Sequence, residues 1–162
     1  MKKILLAVAF LFALSSPAWA GGSSGSFGVG AEYTSLGVGG VSVNYDGGVF
    51  HAGGFLGYYD GGTFGNNNDV EFGGRFYYHI HSTSMSDFGL GGQLGLRTYD
   101  NPAPADNFLG VYIDLGAQVR VFLSSNVALS AGLGLTIASG DADGVALTGD
   151  PVGTLGFHYY FF

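Results

Sequence analysis

Apolar and polar residues alternate along this chain with a period of two. Phe27, Val29, Ala31 and Tyr33 alternate with Gly28, Gly30, Glu32 and Thr34. Val111, Ile113, Leu115, Ala117, Val119 and Val121 alternate with Tyr112, Asp114, Gly116, Gln118, Arg120 and Phe122, and Val127 to Ile137 repeats the pattern. A two-residue period places the two sets on opposite faces of a strand. Eight segments can be marked in this way: 26–35, 40–46, 48–59, 69–80, 87–99, 108–123, 126–138 and 152–162. Helix is excluded as the main content, because the 31 glycines would each cost about 1 kcal/mol inside one.

Turn residues separate the segments. Asp46-Gly47-Gly48, Ser82 to Ser86 and Ser124-Ser125-Asn126 are tight or short connections. Gly61 to Asn68, Asp100 to Asn107 and Ser139 to Pro151 are longer, while Leu36 to Gly39 is brief. Short turns at one end and longer loops at the other are the asymmetry of barrels whose tilted strands of about 9–11 residues cross a bilayer. The pattern predicts an all-β fold, an eight-stranded antiparallel transmembrane β-barrel with short periplasmic turns and longer outer loops.

A soluble barrel would alternate too, so the facing of the charges decides. Charged residues make up 10 % of the chain, against about a quarter in an ordinary soluble domain. Arg75, Arg97 and Arg120 sit on the polar phase of their strands, as do Glu32, Glu71 and Asp114. The other acids, Asp46, Asp60, Asp69, Asp87, Asp100, Asp106, Asp141, Asp143 and Asp150, lie in turns, loops or at strand ends. No charge falls mid-strand on the apolar face, where hydrocarbon would make it cost about 2–4 kcal/mol at the midplane. The interior is therefore expected to hold Glu32, Asn44, His51, Glu71, Arg75, Gln93, Arg97, Asp114, Gln118 and Arg120. Three acids and three guanidiniums would make that core neutral. Glycines of the polar phase, such as Gly28/Gly30 and Gly132/Gly134, would leave room for long Arg and Glu side chains. Phe27, Tyr33, Tyr45, Phe50, Tyr58, Phe72, Tyr78 and Phe88 gather near strand ends on the apolar phase, as interfacial girdles do.

The first twenty residues read as a leader. Met1-Lys2-Lys3 is positive, Ile4 to Leu14 is apolar, and Ala18-Trp19-Ala20 follows the break at Ser15-Ser16-Pro17. These are the three regions of a secretory signal peptide, cut after Ala20 and leaving 21–162 as one barrel domain. Losing Lys2 and Lys3 takes the formal charge from −7 to −9. So acidic a chain has no footprint for nucleic acid. Without cysteine it has no disulfide framework and no zinc-ribbon site.

The C-terminal segment Leu155-Gly156-Phe157-His158-Tyr159-Tyr160-Phe161-Phe162 alternates and closes on phenylalanine. It resembles the signal read by the outer-membrane barrel assembly machinery, with Phe157, Tyr159, Phe161 and Phe162 as its carriers and Leu155, Phe157, Tyr159 and Phe161 as the outward set. Together with Ser26-Phe27-Gly28-Val29-Gly30, Phe76-Tyr77-Tyr78-His79 and Asn126-Val127-Ala128-Leu129-Ser130, it resembles the small outer-membrane β-barrel domain family. That family includes outer-membrane protein X, the membrane domain of outer-membrane protein A and many porin-family chains. The resemblance implies a Gram-negative outer membrane, both termini in the periplasm, and contact with outer-membrane lipid, lipopolysaccharide, the assembly machinery and periplasmic chaperones. It also implies a monomer.

Candidate chemistry is sparse. Gly89-x-Gly91-Gly92-x-x-Gly95 lacks the strand–turn–helix context of a dinucleotide loop. Asp141-x-Asp143-Gly144 lacks the fifth position and closing Glu of a calcium loop, and reads as a solvated acidic loop. His79 and His81 share the inward phase without an evident third metal ligand. That facing also separates them from the lipid A deacylase of similar size, whose histidine and serine face the lipid. No cofactor and no enzymatic activity are expected. The lumen residues Glu32, Glu71, Arg75, Gln93, Arg97, Asp114, Gln118 and Arg120 either select ions or pair with one another and plug a bore that eight strands leave only wide enough for side chains. The expected role is structural, in envelope integrity, or interactive, through the outer loops. A narrow porin-like channel is the alternative, and a lipid A acyl-hydrolase a remote one.

Overall fold

The computed structural model describes residues 23–34, 37–62, 68–99, 108–140, 144–147 and 154–161. The leader, its cleavage site, Phe162 and much of the longer connections lie outside them, the acidic 141–143 segment included. The described strands are β1 (Phe27–Tyr33), β2 (Gly39–Asp46), β3 (Phe50–Asp60), β4 (Asn68–Ser82), β5 (Ser86–Tyr99), β6 (Phe108–Ser124), β7 (Val127–Gly140), β8 (Gly144–Leu147) and β9 (Thr154–Phe161). Each pairs antiparallel with its neighbours, and the ring closes because β9 pairs with both β1 and β7.

The wall has eight positions, since β8 and β9 lie along the same edge of β7. Ala138 to Leu135 face Gly144 to Leu147, and Gly132 to Val127 face Thr154 to Tyr159. Six residues separate Leu147 from Thr154, where two separate their partners Leu135 and Gly132. The eighth strand is therefore split. This corrects the long connection expected over Ser139 to Pro151: alternation persists through Val145 and Leu147, so the chain turns early and folds back on β7.

The alternation resolves into an outside and an inside. Val29, Val43, Leu56, Phe72, Leu94, Leu115, Leu133 and Phe157 are exposed on the outer wall, while the polar phase is buried in the lumen. A soluble protein of this size would bury its leucines; here large apolar side chains make the outer surface. Wall heights differ. β1 and β2 are joined by a tight turn in which the Thr34 amide donates to the Val38 carbonyl at 2.9 Å and the Val38 amide to Thr34 Oγ1 at 3.1 Å. Gly37 takes φ +88° there, a conformation that favours glycine. The two strands have 7 and 8 residues, against 17 in β6.

Two bulges interrupt the ladders, between His79 and His81 on β4 and between Phe122 and Ser124 on β6. The first corrects the shared inward phase of His79 and His81. Ile80 is the extra residue, so His79 stays in the lumen opposite Gly89 while His81 is exposed opposite Phe88. One inserted residue reverses the facing of everything beyond it.

Candidate functional site

The lumen is the site that the strands build, and its side chains meet at three levels. At the inner end, beside the short turns, Arg120 Nη2 donates to Asp46 Oδ2 at 2.7 Å and to Asp87 Oδ2 at 2.6 Å. Its Nη1 donates to Tyr160 Oη at 3.0 Å. The guanidinium also lies over the rings of Phe122 and Tyr160, 5.2 and 5.9 Å from their centroids. His79 joins from β4: its Nε2 lies 2.8 Å from His51 Nδ1, and its Nδ1 lies 2.8 Å from the Gly48 carbonyl oxygen.

At mid-height Arg75 on β4 pairs with Glu32 on β1, three wall positions away. Ser42 Oγ and His158 Nε2 meet at 2.6 Å above Gly30, the residue with which both pair in the ladders. A Cβ on Gly30 would lie 2.0 Å from the Phe157 carbonyl oxygen and 2.7 Å from the His158 ring, so both the β9 backbone and this bridge require glycine there. Along the wall, Asp114 on β6 accepts from its two ladder partners, from Gln93 Nε2 on β5 at 3.1 Å and from Thr136 Oγ1 on β7 at 3.3 Å. At the outer level the buried Glu71 accepts from the hydroxyls of Tyr112 and Thr34. Arg97 Nη2 donates to Asp69 Oδ2 at 2.7 Å, and its side chain keeps 25 % of its exposure toward the outer mouth.

Of the residues expected inside, Glu32, Asn44, His51, Glu71, Arg75, Gln93, Asp114, Gln118 and Arg120 are buried and Arg97 is half-buried. They are distributed over the three levels and do not converge on one point. The expected charge balance is corrected. Asp46, Asp69 and Asp87, read from sequence as strand-end acids, also turn inward and are 2, 4 and 8 % exposed. The lumen therefore holds six described carboxylates against three guanidiniums. At a strand end the neighbouring turn residues break the alternation, and facing is lost from view.

Sequence reasoning also missed the lumen aromatics. Phe55, Tyr77, Tyr112, Phe122 and Tyr160 are each at most 5 % exposed and point inward. The signal was present, since each lies on the polar phase of its strand. The same rings show what several inward glycines accommodate. A Cβ on Gly28 would lie 2.9 Å from the Tyr160 ring, and one on Gly73 2.6 Å from the Phe55 ring, though nearer still, at 2.3 Å, to the Leu94 carbonyl oxygen. Gly95 lies against Tyr112 in the same way. At these positions glycine makes room for rings, where Arg and Glu side chains had been expected.

The chemistry available is that of cross-linking. Glu32 Oε2 is 3.8 Å from His158 Nε2, the same nitrogen that meets Ser42, so Glu32 does not orient the other ring nitrogen as the carboxylate of a catalytic triad does. Among the described residues no group of three or more His, Asp or Glu side chains could hold a metal ion. On β9, Phe157, Tyr159 and Phe161 all face outward with Leu155.

No protein-family model matches the chain, and no curated protein matches it. Among solved structures, the N-terminal β-barrel domain of Pseudomonas aeruginosa OprF aligns with a TM-score of 0.63 at 14 % identity, covering 85 % of this chain and 98 % of that one. A major outer membrane protein from Thermus thermophilus aligns with a TM-score of 0.38 at 14 % identity, covering 84 % of this chain and 98 % of that one. The first likeness shows the fold: this chain is a closed, eight-position, all-antiparallel barrel of the same kind as the OprF domain.

Proposed function

We propose that the chain is an integral outer-membrane barrel, exported by a leader cut after Ala20, whose lumen is closed by its own side chains. Its role is to contribute to envelope integrity and to carry outer loops at the surface, in contact with lipid and lipopolysaccharide. The observation that carries this reading is the Arg120 clamp, which draws Asp46 and Asp87 from two other strands onto one guanidinium at the inner mouth. A bridge between opposite walls occupies the bore that a solute would need. The outer wall, apolar throughout its middle, supports the membrane setting.

The test is single-channel conductance of the refolded mature chain in a planar bilayer, after its folded form is identified by faster migration in unheated gels. A folded barrel that stays silent supports the closed scaffold. Reproducible current steps that change on neutralising Arg120 or Arg97 would replace it with a narrow channel.

A further inference from the structure

The apolar belt on the outer wall is a wedge. On β1 it runs from Phe27 to Tyr33 and on β2 from Gly39 to Tyr45, six residue steps in each case. On β6 it runs from Leu109 to Leu123, fourteen steps, and every large apolar residue facing outward along it is exposed. With a rise of about 3.3 Å per residue and a strand tilt of about 40°, six steps give a belt roughly 15 Å tall and fourteen roughly 35 Å. In the ring β2 and β6 are opposite, separated by three wall positions on either side. The shortest and tallest parts of the belt are therefore on opposite sides of the molecule.

The rims of the short wall are marked. The Phe27 and Tyr45 rings lie tilted against each other with centroids 5.1 Å apart, and Tyr45 is 6.2 Å from Phe50, which stacks on Phe76 at 5.4 Å. This arc of rings borders the inner end, and Tyr33 and Tyr58 stand at the outer end. Aromatic side chains of this kind seat at the headgroup level. Outer-membrane barrels carry a belt of about 25 Å, so the low wall falls short and β6 exceeds it. Tilting a rigid barrel can match a belt whose two rims are parallel planes. It cannot equalise two sides of different height, and the bilayer must change thickness instead.

We propose that the β1–β2 wall is a lipid-interaction surface that thins the bilayer on one side of the protein, while β6 holds it at full thickness or more. The partner is the membrane itself, and the favoured neighbours of the low wall are lipids with short or disordered acyl chains. This rests on the membrane reading proposed above. The tight Thr34–Val38 turn sets the device, because it ends β1 and β2 where the other hairpins continue.

The chain has no cysteine, so single nitroxide labels can be placed cleanly. Gly39→Cys and Val49→Cys bracket the low wall and leave its rings in place; a Cβ on Gly39 meets nothing within 4 Å, and Val49 is exposed in the inner turn. Leu109→Cys marks the outer end of β6, and Val29→Cys the middle of β1. The labelled mature chains are refolded into dioleoylphosphatidylcholine vesicles, and depth is read from the ratio of oxygen to nickel-chelate accessibility. The expected result is headgroup depth at positions 39 and 49 together, with hydrocarbon depth at positions 29 and 109. Hydrocarbon depth at either 39 or 49 would overturn the proposal, since the low wall would then lie sunk in an unthinned bilayer. Aqueous exposure at 109 would overturn it as well, because β6 would stand clear of the lipid. Failure of the membrane reading looks different: the label at 29 would report water and no heat-modifiable form would appear.

Discussion

Arg120 on β6 reaches across the barrel to Asp46 on β2, the opposite wall position, and binds its carboxylate at 2.7 Å. The same nitrogen holds Asp87, the cross-strand partner of Arg120 on β5. One cation is thus shared by two buried acids, and its own charge is spread over two carboxylates and two ring faces. The arrangement is asymmetric, so removing different members should have different effects.

Arg120→Met is expected to destabilise the barrel by about 3–5 kcal/mol, because it leaves two carboxylates buried without their cation. Asp46→Asn and Asp87→Asn should each cost clearly less, since either leaves a one-to-one pair. The check is urea unfolding in lipid vesicles followed by gel mobility. Equal losses in all three variants would contradict the shared-cation account.

Gly95→Ala should force the Tyr112 ring away and break its hydrogen bond to Glu71, at a cost of about 1–3 kcal/mol. Gly54→Ala is the matched control. Its Cβ would face outward and lie 3.4 Å from the nearest atom, the Gly73 carbonyl oxygen, so stability should be unchanged. The pair separates crowding in the lumen from a general effect of losing strand glycine, and the same unfolding assay reads it.

Leu115→Arg places a charge at the middle of the exposed β6 face. It should cost about 2–4 kcal/mol in bilayers, as charges at the midplane of a lipid-facing wall do. In detergent, where head groups and water reach the wall more readily, the loss should be much smaller. Comparable losses in both media would argue against lipid contact at this height.

Phe161 pairs with Phe27 where the last strand meets the first. If the C-terminal strand is the assembly signal, Phe161→Ala should lower the amount of barrel reaching the outer membrane in cells. Refolding of the same purified variant into detergent should remain close to normal. Equal failure in both settings would assign Phe161 to the folded wall and remove its role as a signal.

The sequence made the strands and their facing legible because period two is a property of the backbone, and lipid outside and polar groups inside enforce it along every strand. Arg75, Arg97, Arg120 and Glu71 could be oriented this way without knowing any partner. Which acid meets which arginine was not legible, since Arg120 and Asp46 are 74 residues apart in sequence and meet only when the ring closes. The bulge at Ile80 was hidden for another reason. A single extra residue looks the same in sequence whether it continues the strand or steps out of it, yet it decided that His81 left the lumen. Asp69 and Asp87 were hidden by their neighbours, because a strand's last inward residue borders the turn chemistry that masks its phase.

The split eighth strand has a mechanical consequence. β9 is stitched to β1 by seven residue pairs and to β7 by six, whereas β5 and β6 share fourteen. The joint between the first and last strands is thus among the shortest seams of the cylinder, and each of its partners is short as well. Long-range pairing of the two chain ends also carries the largest loop-closure entropy. The sheet from β3 to β7 can zip along local hairpins first, leaving the β1–β9 seam to close last. In the finished cylinder it is there, between Phe27 and Phe161, that backbone amides should exchange soonest and the staves part under load.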